Sequence, residues 1–142
     1  MKNKVIFIIV TIFSIIVDLV LNFQESLMGS PATVKNLIVT FVYFTIWIFI
    51  LIITLKSKNR RVMKYYSTFW LLTLLFTILT GFVNVTGVNV DWATPFVALL
   101  LTQFYGIELL VDNFIITSII ISSLSLMMFI AAVFSLKKPN LV

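Results

Sequence analysis

The sequence contains no cysteine and no histidine, and charged residues make up only 11% of it. Without cysteine there are no disulfides and no thiolate chemistry, and without histidine the commonest metal ligand and the usual general base are missing. About a quarter of the residues in a typical soluble domain are charged, whereas hydrophobic side chains account for 61% of these 142 residues. That composition excludes a soluble fold and predicts a single membrane domain over residues 1–142.

Motifs for catalysis are absent as well. The chain has no Gly-x-Ser-x-Gly, no His-Glu-x-x-His and no glycine-rich loop that would hold a phosphate. Its 5 acidic residues are scattered, without the spacing of metal ligands. We therefore expect a protein that is not an enzyme, with no catalytic residue, no metal and no cofactor.

Four hydrophobic runs approach or exceed the length of about 20 residues that crosses a hydrocarbon core of about 30 Å. They predict transmembrane helices over residues 5–23, 34–55, 65–83 and 110–136. Between the last two, Thr94 and Pro95 resemble a helix start, and Gly106 a helix end, which predicts a short helix over 95–105. The expected fold is all-α: a four-transmembrane-helix antiparallel bundle with a short interfacial or re-entrant helix between helices 3 and 4. The alternative is a fifth span over 95–111, which would bury Glu108.

The 10 basic residues predict the orientation. With four spans, both termini share one side with a basic loop, and Lys35 alone lies on the other side. Because positive charge remains in the cytoplasm, we expect a multi-pass protein of a bacterial cytoplasmic membrane with cytoplasmic N- and C-termini. The basic side chains should contact lipid headgroups and not nucleic acid, since no soluble element presents a basic face. The loop carries Lys56, Lys58, Arg60, Arg61 and Lys64.

The first predicted helix carries a carboxylate, Asp18, within its apolar run. At about 100° per residue, Thr11, Ser14, Asp18 and Asn22 share one face, which Glu25 continues. A rise of about 1.5 Å per residue puts Asp18 in the outer third of the membrane. A carboxylate within a span costs roughly 2.5–3.5 kcal/mol on insertion scales and often marks a pathway or a paired site.

Hydroxyl-bearing faces recur on all four helices, and two interpretations of them stay open. Such faces are typical of helix packing in lipid, where small and hydroxyl side chains allow close contact. Alternatively, the polar residues of the outer helix halves form a pocket that binds a cation or a proton. The predicted pocket comprises Asp18, Asn22, Asn36, Thr40, Thr77, Thr80, Asn84 and Ser118.

A second candidate site is the acidic and aromatic segment that precedes the last helix. Its aromatic side chains predict anchoring at the membrane interface. A lid over the pocket, or a docking surface for a partner, is the other possibility. The predicted surface comprises Asp91, Trp92, Gln103, Tyr105, Glu108 and Asp112.

Three functions fit these features. The first is an accessory or interaction protein, of which immunity proteins are one type, acting on a membrane-protein partner or as a homo-oligomer in the lipid bilayer. The second is a small cation- or proton-coupled transporter or channel subunit built around Asp18. In its plan of four spans with both ends inside and an acidic residue in the first helix, the chain resembles the small multidrug resistance transporters. The segment 84–112 is longer than the loops of that family, and no residue motif is shared. The third is a holin-like pore former.

Overall fold

The computed structural model describes residues 2–57 and 59–137, and within these ranges the fold contains helices and no strand. The long helices are α1 (Lys2–Met28), α2 (Val34–Ser57) and α3 (Arg60–Thr86). A connecting segment, Asp91–Val111, follows; it consists of a 3-10 turn (Asp91–Ala93), α4 (Thr94–Leu101), a 3-10 stretch (Thr102–Ile107) and α5 (Glu108–Val111). The last helix is α6 (Phe114–Lys137). The chain is an all-helical protein with several helices apolar enough to span a membrane.

Five segments of the described chain are long and apolar enough to cross a bilayer, by length and composition. Four of them contain the long helices, and the fifth is the connecting segment, Asp91–Val111. Apolar side chains on the outside of the long helices are widely exposed, among them Phe13 at 65% and Phe49 at 63%. Such surfaces suit lipid and not water.

Asparagine side chains cap the starts of α3 and α6, and a left-handed glycine ends α3. The Asn113 side chain accepts hydrogen bonds from the amides of Ile115 (3.0 Å) and Ile116 (3.2 Å) at the start of α6. Gly87 ends α3 at φ 69°, and its amide bonds to the Val83 carbonyl at 2.8 Å. These caps explain differences from the sequence prediction: α3 begins at Arg60 instead of residue 65, after the Asn59 cap, and α6 begins at Phe114 instead of residue 110.

The helices α3 and α6 form the most extensive pair, and they run antiparallel. Gly81, near the end of α3, lies against Ser118, near the start of α6. At the other end of the pair, the Tyr66 hydroxyl bonds to the Met128 sulfur at 3.6 Å. Because α6 returns alongside α3, the connecting segment leaves and re-enters this pair at the same end.

The connecting segment packs into the space between the long helices. Its 3-10 stretch lies against α1 and α2, while α4 lies against α3. Sequence reasoning predicted one helix over 95–105 ended by Gly106. This was wrong in detail, since α4 ends at Leu101 and the chain continues as a 3-10 helix through Gly106 to Ile107.

An aromatic cluster fills the centre of the helix assembly. Phe104, from the 3-10 stretch, lies 5.5 Å from the Tyr43 ring and 6.2 Å from the Trp70 ring, between centroids. Trp47 stacks on Phe69 at 4.3 Å, and Tyr66 approaches Trp47 at 5.2 Å. The cluster comprises Tyr43, Trp47, Tyr66, Trp70 and Phe104, each at most 1% exposed, and Phe44 and Phe69 flank it.

Candidate functional site

The polar face of α1 is buried from Thr11 to Asn22. Thr11, Ser14, Asp18 and Asn22 are each at most 4% exposed. Thr11 donates to the Ile8 carbonyl at 2.8 Å and Ser14 to the Thr11 carbonyl at 2.9 Å, so both hydroxyls are satisfied by their own helix. These two residues therefore need no ligand.

Asp18 differs from the other residues of this face. It is 4% exposed, and its Oδ2 atom has no hydrogen-bond partner among the described residues. The Tyr43 hydroxyl, in the aromatic cluster, also lacks a partner within that part of the chain. Buried polar groups without a hydrogen-bond partner are uncommon in folded proteins, so these two groups are candidates for a functional role.

Asn22 and Asn36 form a polar link between α1, α2 and the connecting segment. The Asn36 amide nitrogen donates to Asn22 Oδ1 at 3.0 Å and to Glu25 Oε2 at 3.2 Å. The Asn22 amide nitrogen in turn donates to the Thr102 carbonyl at 3.1 Å. Asn36 Oδ1 also accepts from the amide and hydroxyl of Thr33, at 2.7 and 2.6 Å, which caps α2. Both asparagines are fully buried.

Thr40 attaches the 3-10 stretch to α2. Its hydroxyl donates to the Gln103 carbonyl at 2.7 Å and accepts from the Gly106 amide at 3.2 Å. A Cβ atom on Gly106 would lie 2.5 Å from Leu37 Cα, so only glycine permits this approach to the α2 backbone. Buried backbone outside regular helix needs hydrogen-bond partners, and side chains of α1 and α2 supply three of them here.

A cavity of about 260 Å³ lies beside the connecting segment. Its wall is mostly apolar, with hydroxyls and one carboxylate. The residues come from the second half of α1, the second half of α3, the connecting segment and the start of α6: Phe23, Ser26, Leu27, Thr77, Thr80, Thr94, Val97, Ala98, Leu101, Thr102, Phe104, Tyr105, Glu108, Phe114, Thr117, Ser118 and Ile121.

The residues of the predicted pocket fall into separate places. Thr77, Thr80 and Ser118 line the cavity. Asn22, Asn36 and Thr40 hold the connecting segment, as described above. Asp18 is buried but does not line the cavity, and Asn84 is exposed near the end of α3.

The predicted docking surface is also divided. Asp91, Trp92 and Asp112 are exposed. Tyr105 and Glu108 line the cavity, and the Tyr105 hydroxyl bonds to the Ser30 carbonyl. Gln103 does not belong to a surface, because it is 0% exposed and its amide nitrogen donates to the Leu99 carbonyl at 2.5 Å.

The basic loop lies at the turn between α2 and α3. Lys56, Arg60, Arg61 and Lys64 are exposed there, and Lys58 lies outside the described residues. Within the described ranges, no group of three His, Cys, Asp or Glu residues could hold a metal ion.

Sequence reasoning missed three residues that contribute to the attachment of the connecting segment or to the cavity wall: Thr102, Gly106 and Thr117. Thr102 offers a carbonyl and Gly106 an amide, and neither backbone group has a signature in the residue types. Thr117 lies one residue before the predicted Ser118 and lines the same cavity. Its position on the polar side of α6 was the only signal that could have identified it.

Comparison with known proteins gives no match: no protein family, no curated protein and no solved structure is similar to this chain. The class of the protein therefore follows from the fold alone, which is that of an all-helical membrane protein.

Proposed function

We propose that this chain is an accessory or interaction protein of a bacterial cytoplasmic membrane, which binds another membrane protein and does not carry a solute. The observation that carries this proposal is the filled centre of the helix assembly. Trp47, Trp70 and Phe104 are each 0% exposed there, and the connecting segment, which supplies Phe104, is held in place by hydrogen bonds to α1 and α2. A transport pathway through the single chain would require this packing to open.

The proposal includes four membrane crossings with both termini in the cytoplasm. Support comes from the antiparallel pairing of α3 and α6, because a fifth crossing between them would make these helices parallel. The exposed basic residues at the turn between α2 and α3 favour the same orientation through the positive-inside rule. The connecting segment would then enter the outer half of the membrane and return.

Because the chain has no cysteine, single-cysteine labelling can test this topology. We expect Asn89→Cys and Asn113→Cys to react with a membrane-impermeant maleimide added to intact cells, since both residues are exposed and flank the connecting segment. Ser57→Cys, at the basic turn, should react only after the membrane is permeabilised. Labelling of Asn89→Cys from outside together with protection of Asn113→Cys would instead establish an odd number of crossings between them.

The partner surface that we propose is the exposed outer part of the connecting segment. Asp91 accepts a hydrogen bond from Asn89 at 2.9 Å, and Trp92 is 66% exposed beside it. Tryptophan is among the residue types that most often dominate the binding energy of protein interfaces. Co-purification tests this surface. A partner that co-purifies in stoichiometric amount with wild type and Lys56→Ala, but not with Trp92→Ala, would support it. Equal recovery with both variants would contradict it.

A transporter or channel subunit built around Asp18 is the second candidate function, and one observation favours it: the buried Asp18 Oδ2 atom without a partner. Flux of protons or monovalent cations in liposomes separates the two functions. We expect wild type and Asp18→Asn to match empty liposomes, because the aromatic cluster blocks the centre. Flux that needs Asp18 would overturn the accessory proposal, and release of an encapsulated dye by both proteins would indicate a holin-like pore.

A further inference from the structure

Exposed apolar side chains of two candidate membrane spans line the cavity beside the connecting segment. Phe23 and Leu27 on α1, and Phe114 on α6, line it and are also 41%, 67% and 37% exposed. The helix α6 packs chiefly on α3, whereas α1 packs on α2 and the connecting segment. The cavity is therefore open between α1 and α6, where a molecule dissolved in the bilayer can enter from the side.

Two polar groups of the cavity wall point to a ligand: a buried hydroxyl without a hydrogen-bond partner, and a carboxylate that takes no part in the ion pair of the described residues. Thr117 is 4% exposed, and its hydroxyl makes no hydrogen bond. The Glu108 carboxylate is partly buried and makes no hydrogen bond within the described residues, and the ion pair found there joins Lys35 to Glu25 instead. A carboxylate partly removed from water and close to a lipid-facing opening gains from a cation brought to it.

We propose that this cavity binds an amphiphile with an ammonium headgroup, whose charge lies at Glu108 and whose apolar chain lies against Phe23, Leu101 and Ile121. Three observations combine here: the apolar wall, the unpaired carboxylate and the opening toward lipid. The volume of about 260 Å³ is near the lower end of ligand pockets, so it suits a headgroup with part of one chain. The aromatic rings of Phe104 and Tyr105 in the wall add favourable surfaces for an ammonium group. The site is independent of the partner surface proposed above.

Dodecylammonium, whose primary ammonium headgroup carries three N–H donors, is the probe for this site, with the whole chain purified in dodecyl maltoside. The detergent has the same alkyl chain with a neutral headgroup, so it competes for the apolar part of the cavity. We expect native mass spectrometry to show at least tenfold tighter binding of the ammonium probe to wild type than to Glu108→Gln. Thr117→Val should weaken binding about two- to fivefold, the effect of one hydrogen bond. Asp112→Asn is the matched control, because it removes an equal charge nearby, tolerates φ 43° and does not line the cavity.

A second arm distinguishes the two sources of such a headgroup. Phosphatidylethanolamine that displaces the probe, while phosphatidylglycerol does not, identifies a bilayer lipid as the occupant. A probe that neither lipid displaces identifies a free amphiphilic amine. Equal binding of the probe to wild type, Glu108→Gln and Asp112→Asn would overturn the proposal, as would a loss of binding in Asp112→Asn as large as that in Glu108→Gln.

Discussion

Replacing Gly106 by alanine is expected to destabilise the folded protein by about 3 kcal/mol or more. The new methyl group would lie 2.5 Å from the carbonyl carbon of Asn36 and from Leu37 Cα. Both atoms belong to the α2 backbone, which cannot rotate away as a flexible side chain would. The 3-10 stretch would have to move off α2, and the bond from the Gly106 amide to Thr40 would be lost.

Unfolding of the purified protein in mixed detergent micelles measures this loss, and Gly81→Ala is its control. A methyl group at Gly81 would meet Ser118 Cβ at 3.6 Å, an ordinary contact, and alanine favours helix over glycine by up to about 1 kcal/mol. Gly81→Ala should therefore be as stable as wild type or more stable. Equal free energies of unfolding for the two alanine variants would contradict the close approach of Gly106 to the α2 backbone.

Helical periodicity in the sequence predicted which faces of the helices would be buried, but not what those faces would meet. The polar face of α1 is a direct consequence of residue spacing, and Asp18 lies on it with 4% exposure. The neighbour of each face depends on how the helices pack, and residue spacing carries no information on that. For this reason the predicted pocket combined residues that the fold separates. Asn36 bonds to Asn22 on α1, whereas Thr80 lines the cavity.

The connecting segment shows a second limit of residue pattern. Gln103 is polar and was expected at the surface, yet it is fully buried. Its backbone carbonyl accepts from Thr40 and its amide nitrogen donates within the segment, while its Oε1 atom has no partner among the described residues. Gly106 was interpreted as a helix end, the usual role of glycine after an apolar run. Its actual role is to let the 3-10 stretch contact the backbone of α2 closely. These two segments are distant in sequence, so the contact can be recognised only from the three-dimensional structure.

The asparagine link offers the last prediction, in which Asn36→Leu lowers the free energy of unfolding by about 3 kcal/mol. Leucine has a similar size, so packing changes little, but four hydrogen bonds disappear. The Thr33 amide loses its acceptor, so the N-terminal cap of α2 is removed. Asn22 Oδ1 is left without a donor although Asn22 is fully buried. Each interaction between helices in lipid is modest, with an average near 0.6 kcal/mol, so the large effect requires several of them to meet on one side chain.

A double-mutant cycle separates this network from a general loss of packing. Asn22→Leu alone should leave the Thr102 carbonyl without its donor. The double variant should cost less than both single variants together by about 1 kcal/mol, because it leaves no unpaired asparagine oxygen. Thr45→Val is the control, since Thr45 is exposed and bonds only to the Phe41 carbonyl of its own helix, so its stability should stay within about 0.5 kcal/mol of wild type. Strictly additive losses would mean that the two asparagines act separately and that the bond between them adds nothing to the attachment of the connecting segment.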